Sequence, residues 1–161
     1  AMDLDGIVSK VKEDFPESIL DVSTFRGEIT LHLRTQDLLP ICRLLHDDRE
    51  LSYDYLTDLC GVDYYPQEPR FQVIYHLCAM GTRHRLRLKV SLPGVSPRVA
   101  SVVSVWKGAN WLEREAFDMF GITFDGHPDL RRILLTPDWE GHPLRKDYPL
   151  RGHIQAGGEE E

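Results

Sequence analysis

The chain has 161 residues, 42% of them hydrophobic and 28% charged, with a formal net charge of −7. That suits about one globular domain with a real core. The charge is uneven: residues 1–69 hold 6 Lys/Arg against 15 Asp/Glu, and residues 70–161 hold 13 against 11, so the acidic front argues against nucleic acid as the main partner.

Ala1-Met2 reads as a remnant ahead of a native start, and no signal-like apolar region or run of about 18 apolar residues follows. The chain is therefore expected to be neither exported nor membrane-inserted. Leu4, Ile7, Val8, Val11 and Phe15 recur at helical spacing and Pro16 blocks continuation, predicting a helix over 3–15. Runs 19–25 and 28–34 alternate around Arg26-Gly27, which predicts a hairpin with Ile29, Leu31 and Leu33 on one face. Thr35 is the expected cap of a second helix over 36–47, with Pro40 tolerated near the first turn and Leu38, Ile41, Cys42 and Leu45 buried.

Three strands follow at 53–64, 71–80 and 83–92, the last two joined at Gly81-Thr82. The third alternates strictly, with Arg83, Arg85, Arg87 and Lys89 on one face. That basic stripe is read as a solvated sheet face. Ser96 or Pro97 is expected to open a helix carrying Val99, Val102, Val103 and Trp106, ended by Gly108. The next helix, 110–121, has Asn110 as cap, Glu113 completing a capping box, and Gly121 as a left-handed stop. Leu112, Ala116, Met119 and Phe120 form its predicted core stripe, with Arg114 and Asp118 ion-paired on an exposed face.

Beyond the helix, Pro128, Pro137, Pro143 and Pro149 exclude another long helix, yet aromatic and aliphatic residues persist between them. This is an extended segment meant to lie on a surface. The division expected is a globular domain at 1–125 and a partner-binding tail at 126–161. The fold class is α+β: a two-layer sandwich of helices on a mainly antiparallel five-stranded sheet, with an extended C-terminal tail.

Glu-Arg-Glu-Ala-Phe-Asp-Met-Phe-Gly-Ile at 113–122, Gly-His-Pro-Asp-Leu-Arg-Arg-Ile-Leu at 126–134, Asp-Trp at 138–139 and Gly-His-Pro-Leu-Arg-Lys-Asp-Tyr-Pro at 141–149 together resemble one family signature. It is that of the C-type (30 kDa) subunit of respiratory complex I, the proton-translocating NADH:quinone oxidoreductase. Leu-Thr-Asp-Leu-Cys-Gly-Val-Asp-Tyr at 56–64 resembles the same family. The resemblance implies a cofactor-free subunit of the peripheral arm, held on the cytoplasmic side of the inner membrane by its partners. Chief among those is the quinone-site (49 kDa, D-type) subunit, with the B-type subunit second. FMN, iron–sulphur clusters and quinone would belong to the parent complex. The signature residues, implied to serve packing and interfaces, are Glu113, Arg114, Glu115, Asp118, Met119, Gly121, His127, Leu130, Arg131, Arg132, Asp138, Trp139, His142, Arg145, Lys146, Asp147 and Tyr148.

The residues themselves offer little other chemistry. There is no G-x-G-x-x-G and no P-loop. Cys42, Cys60 and Cys78 are widely spaced and read as reduced, mostly buried thiols rather than cluster ligands. His127, His142 and His153 share the tail with Asp125, Asp129 and Asp147, but without short ligand spacing, so no metal site is expected. Two alternatives stay open: the equivalent subunit of a hydrogenase or F420-type relative, and a metal-dependent hydrolase using those tail residues. Within the docking reading, Trp111 and Phe120 are expected in the core, and Arg145 and Asp147 to matter for assembly but not for stability. Much of 127–153 is expected to leave the domain for a neighbouring molecule.

Overall fold

The computed structural model describes residues 3–149. Helix α1 (Leu4–Asp14) starts where the Asp3 carboxylate accepts the Gly6 N–H, and it buries Ile7 and Val11. Strands β1 (Ile19–Phe25) and β2 (Glu28–Leu33) form the expected hairpin, because Arg26 and Gly27 both take positive φ, 51° and 79°. That is the left-handed pair a two-residue turn needs between twisted strands. A 3-10 turn at Thr35–Asp37 leads into α2 (Leu38–Asp47), whose buried residues are Leu38, Ile41, Cys42 and Leu45. Thr35 does not cap it; its hydroxyl donates to the Ser91 carbonyl, tying the helix entry to the sheet.

Strands β3 (Tyr55–Asp63), β4 (Phe71–Ala79) and β5 (His84–Leu92) complete a five-stranded sheet of order β1-β2-β5-β4-β3. All pairings are antiparallel except β2 with β5. The segment from α2 through β4 forms the crossover that makes this one parallel pair. Alternate residues face the core: Leu31 and Leu33, Phe71, Val73 and Tyr75, Leu86, Leu88 and Val90 are all buried. The intervening Thr30, His32, Gln72, Ile74, His76, Arg87 and Lys89 lie half-exposed on the other face.

The helix expected from Ser96 or Pro97 does not form. Residues Arg98–Ala100 are strand β6, paired in parallel with β7 (Thr123–Asp125), Val99 opposite Phe124. Pairing with a strand distant in sequence prevails over the helical spacing of the valines, and only short hydrogen-bonded turns between Val102 and Asn110 separate β6 from α3 (Ala109–Phe120). The Trp106 indole N–H donates to the Tyr53 carbonyl, so this connection is pinned to the chain just ahead of β3. Gly121 ends α3 at φ 74°, as expected.

Candidate functional site: helix α3 and the strap that crosses it

Helix α3 buries two carboxylates. Glu113 is fully buried, and instead of closing a capping box it accepts from the Ser101 hydroxyl and the Val102 N–H, both at 2.7 Å. Burial pushes its carboxyl up to about 7, against the two hydrogen bonds, which pull the other way. Glu113 thus fastens the chain after β6 to the helix.

Asp118 is also fully buried, and it organises the residues that follow. Its Oδ2 accepts the N–H groups of Ile133, Leu134 and Leu135, and its Oδ1 takes the Arg132 guanidinium at 2.6 Å. Burial alone would raise this carboxyl; the three N–H groups and Arg132 outweigh it and hold it below the ordinary value. The expected Arg114–Asp118 pair is absent: Arg114 donates instead to the carbonyls of Arg131 and Arg132. The chain at 131–135 has displaced it, closing over the helix.

The same segment, here called the strap, is fixed again further on. His142 Nδ1 donates to the Asp118 carbonyl, the Leu144 N–H to the Met119 carbonyl, and Arg145 Nε to the Phe120 carbonyl. These are the carbonyls left open at the end of α3. Gly121 has to be small as well as left-handed here, since a Cβ would sit 2.7 Å from both Arg145 and His142. Burial lowers the His142 imidazole, and the charges of Arg145 and Arg132 add to that.

The last latch joins the strap to the sheet. Asp63 accepts Arg70 through both oxygens at 2.8 Å, and also the N–H groups of Tyr65 and Lys146. Arg70 continues to Asp147 at 2.7 Å, its guanidinium lying over the Tyr65 and Phe71 rings. Bonding to Arg70 holds the Asp63 carboxyl well down and lowers that of Asp147. Arg145 and Asp147 are therefore tied into their own domain, contrary to the expectation that they serve assembly alone. Nor do the described residues of 127–149 leave the domain; they cross α3 toward the end of β3.

Several of their apolar side chains, however, face outward. Leu134 is 55% exposed, Trp139 44% and Leu144 55%, and Tyr148 is only half-buried. Trp111, expected in the core, is 54% exposed, its indole donating to Glu115. Phe120 packs against Phe71 and against Gly61, where a Cβ would meet the ring at 2.7 Å. Beside them lies an open groove of about 320 Å³ lined by Leu59, Gly61, Ala116, Met119, Leu134 and Leu144. It runs along β3, an edge strand of the sheet.

The other signature residues are spread around this face. His127 accepts from the Asp129 N–H and donates to the Asn110 carbonyl, Leu130 packs on the core, and Arg131 pairs with Asp129 at the surface. Asp138 is exposed, its carboxyl lowered by the Thr136 hydroxyl. His127 and His142 serve different turns and do not converge; His153 lies outside the described residues. Sequence reasoning does not single out Asp63, Arg70 or Ser101 as site residues. Asp63 falls within the family-like stretch at 56–64, whereas no local pattern marks Arg70 as the partner of a residue so far along the chain.

A domain that clamps a proline-broken strap by polar latches and turns its apolar side chains outward belongs to the class of assembly subunits. The sequence matches the family described as respiratory-chain NADH dehydrogenase, 30 Kd subunit, over residues 31–154, and the chain belongs to that family. It is 49% identical over 150 residues to the C-type subunit of the NADH-quinone oxidoreductase of Roseiflexus castenholzii, covering 93% of this chain and 86% of the relative. With the corresponding subunit of Geobacter sulfurreducens the identity is 51% over 146 residues, covering 90% and 89%. A trypsin-resistant fragment (1–134) of Nqo5 superposes with a TM-score of 0.62 at 27% identity, over 80% of this chain and all of that one. A chain of an archaeal membrane-bound sulfane sulfur reductase superposes with 0.76 at 20% identity, over 91% and 85%, and shares the fold. The protein is thus a subunit of an oxidoreductase complex, and other subunits of that complex are its partners.

Proposed function

We propose that the strap and the exposed side of α3 dock this chain in the peripheral arm of the proton-translocating NADH:quinone oxidoreductase. The quinone-site (49 kDa, D-type) subunit would be the chief partner, with the B-type subunit alongside. On this reading the chain lies on the cytoplasmic side of the inner membrane and is held there by its partners. Among the described residues no helix is long and apolar enough to cross a membrane. FMN, the iron–sulphur clusters and quinone would be held by other subunits, and this chain would supply shape rather than redox chemistry.

The observation that carries the reading is the orientation of the strap. Its backbone is fixed to its own domain at Asp118, at the end of α3 and at Asp63, while Leu134, Trp139 and Leu144 point into solvent. Ordering a backbone costs about 1–2 kcal/mol per residue, so a strap fixed in advance removes much of that cost from association. Exposed tryptophan and leucine beside arginine is the composition of an interface core. A single chain does not need it.

The test is assembly in the native host. A chain carrying Leu134→Ser and Leu144→Ser should keep the wild-type melting temperature yet fail to co-purify with the D-type subunit and depress NADH:quinone activity of the membranes. Normal incorporation of that folded variant would refute the docking face. The 49% identity to an NADH-quinone oxidoreductase subunit over 93% of the chain favours this complex over a hydrogenase-type relative.

A further inference from the structure

The sheet face away from the helices carries a cluster that the docking reading leaves unused. Asp58 on β3 and His76 on β4 are register partners, and Cys60 follows Asp58 by two residues, so the pleat projects all three to one side. One carboxylate oxygen, the thiol sulphur and one imidazole nitrogen all lie within 4.8 Å of one another. Asp58 is exposed, and Cys60 and His76 are half-buried. A backbone contact already orients the carboxylate: Asp58 Oδ1 accepts the Leu59 N–H at 2.9 Å, leaving the second oxygen available. Among the described residues, nothing hydrogen-bonds to the His76 ring or to the Cys60 thiol. Cys42 and Cys78, by contrast, are buried.

We infer that Asp58, Cys60 and His76 form a binding site for a single divalent transition-metal ion of the zinc type, with water in the fourth position. Thiolate, imidazole and carboxylate are the donor set such ions take, and three protein ligands leave one position open. Tetrahedral bonds of about 2.0–2.3 Å place donor atoms about 3.4–3.6 Å apart. From separations within 4.8 Å the cluster would have to contract by at most about 1.4 Å. Arg87, across from His76 in the sheet, directs its guanidinium to Glu28 at 3.4 Å and away from the cluster. Without a cation, burial and the Asp58 carboxylate both push the Cys60 thiol up; a bound dication opposes both. Binding would displace the thiol proton to solvent and involve no oxidation.

Cobalt(II) reports on this directly, because a cysteine thiolate bound to it gives a near-ultraviolet charge-transfer band and a tetrahedral site gives intense visible bands. Titration of the full, untagged chain should saturate at one equivalent with both signals, and zinc should displace the cobalt. Cys60→Ser should abolish the charge-transfer band, and His76→Gln should weaken binding at least about tenfold. Both variants should keep the metal-free wild-type melting temperature, which separates lost ligation from lost folding. No charge-transfer band in the wild-type chain, or a band that persists in Cys60→Ser, would overturn the site. Cys60 also borders the groove beside α3, so the titration uses the isolated chain, where failure of the site and failure of assembly are read separately.

Discussion

Phe120 and Trp111 stand on one helix and differ in what they touch. Phe120 meets Phe71 edge-on, 6.5 Å between ring centroids, and fills the space over Gly61; Trp111 is more than half exposed and touches Glu115 and the Arg114 guanidinium on its own helix. Phe120→Ala should therefore cost about 3 kcal/mol of unfolding free energy, the lower end of the range for a lost buried aromatic. Trp111→Ala should stay within about 0.5 kcal/mol of wild type. Gly61→Ala tests the same contact from the sheet side, where the added methyl group must push the ring away at about 1–3 kcal/mol. Urea midpoints of the three variants decide it, and equal losses for Phe120→Ala and Trp111→Ala would contradict the packing. Helical spacing places both aromatics near a core stripe, but it does not say which side the strap closes.

The strap behaves as an element although it has no helix or strand, because Asp118 supplies what a ladder would otherwise supply. One carboxylate satisfies three successive N–H groups and a guanidinium. Asp118→Asn keeps the shape but removes the charge and one acceptor oxygen, leaving buried donors unpaired, so a loss of about 3 kcal/mol is expected. That loss should be local. Amide exchange at residues 133–135, 144 and 146 should accelerate strongly, while amides of β4 stay near wild-type protection. Uniform acceleration across sheet and strap would mean that Asp118 holds the whole domain rather than this segment. The hairpin, α1, α2 and β5 are legible in the sequence because each carries its own period and stop signal. The β6–β7 pair is not, since its partners are three residues long and separated by a helix. Glu113 and Asp118 read as solvent-facing charges for a similar reason: their partners, Ser101 and residues 132–135, come from outside the helix.

At the scale of the whole molecule the buried carboxylates and the exposed Asp147 titrate in opposite senses. Asp63, Asp118 and Asp147 all sit below their ordinary 3.8, so their contribution to stability is present above that pH and is lost as the pH falls through their folded values. Glu113 is raised from 4.5 to about 7; its contribution is complete below 4.5 and is lost as the pH rises toward 7. His142 and His32 are lowered from 6.5, chiefly by burial, and their contribution is lost as the pH falls below that value, which opposes the Glu113 slope between about 4.5 and 6.5. The net profile therefore conceals Glu113, and the informative quantity is the difference between wild type and Glu113→Gln. Glutamine keeps an oxygen for Ser101 or Val102 but has no proton to release. The stability of wild type relative to this variant should decline steadily from pH 4.5 to pH 7 and then level off, while both proteins lose stability together below pH 3.8. Urea unfolding at intervals from pH 3 to pH 8 measures it, and a constant difference across that range would show that Glu113 is not held neutral by its burial beneath the Ser101–Val102 turn.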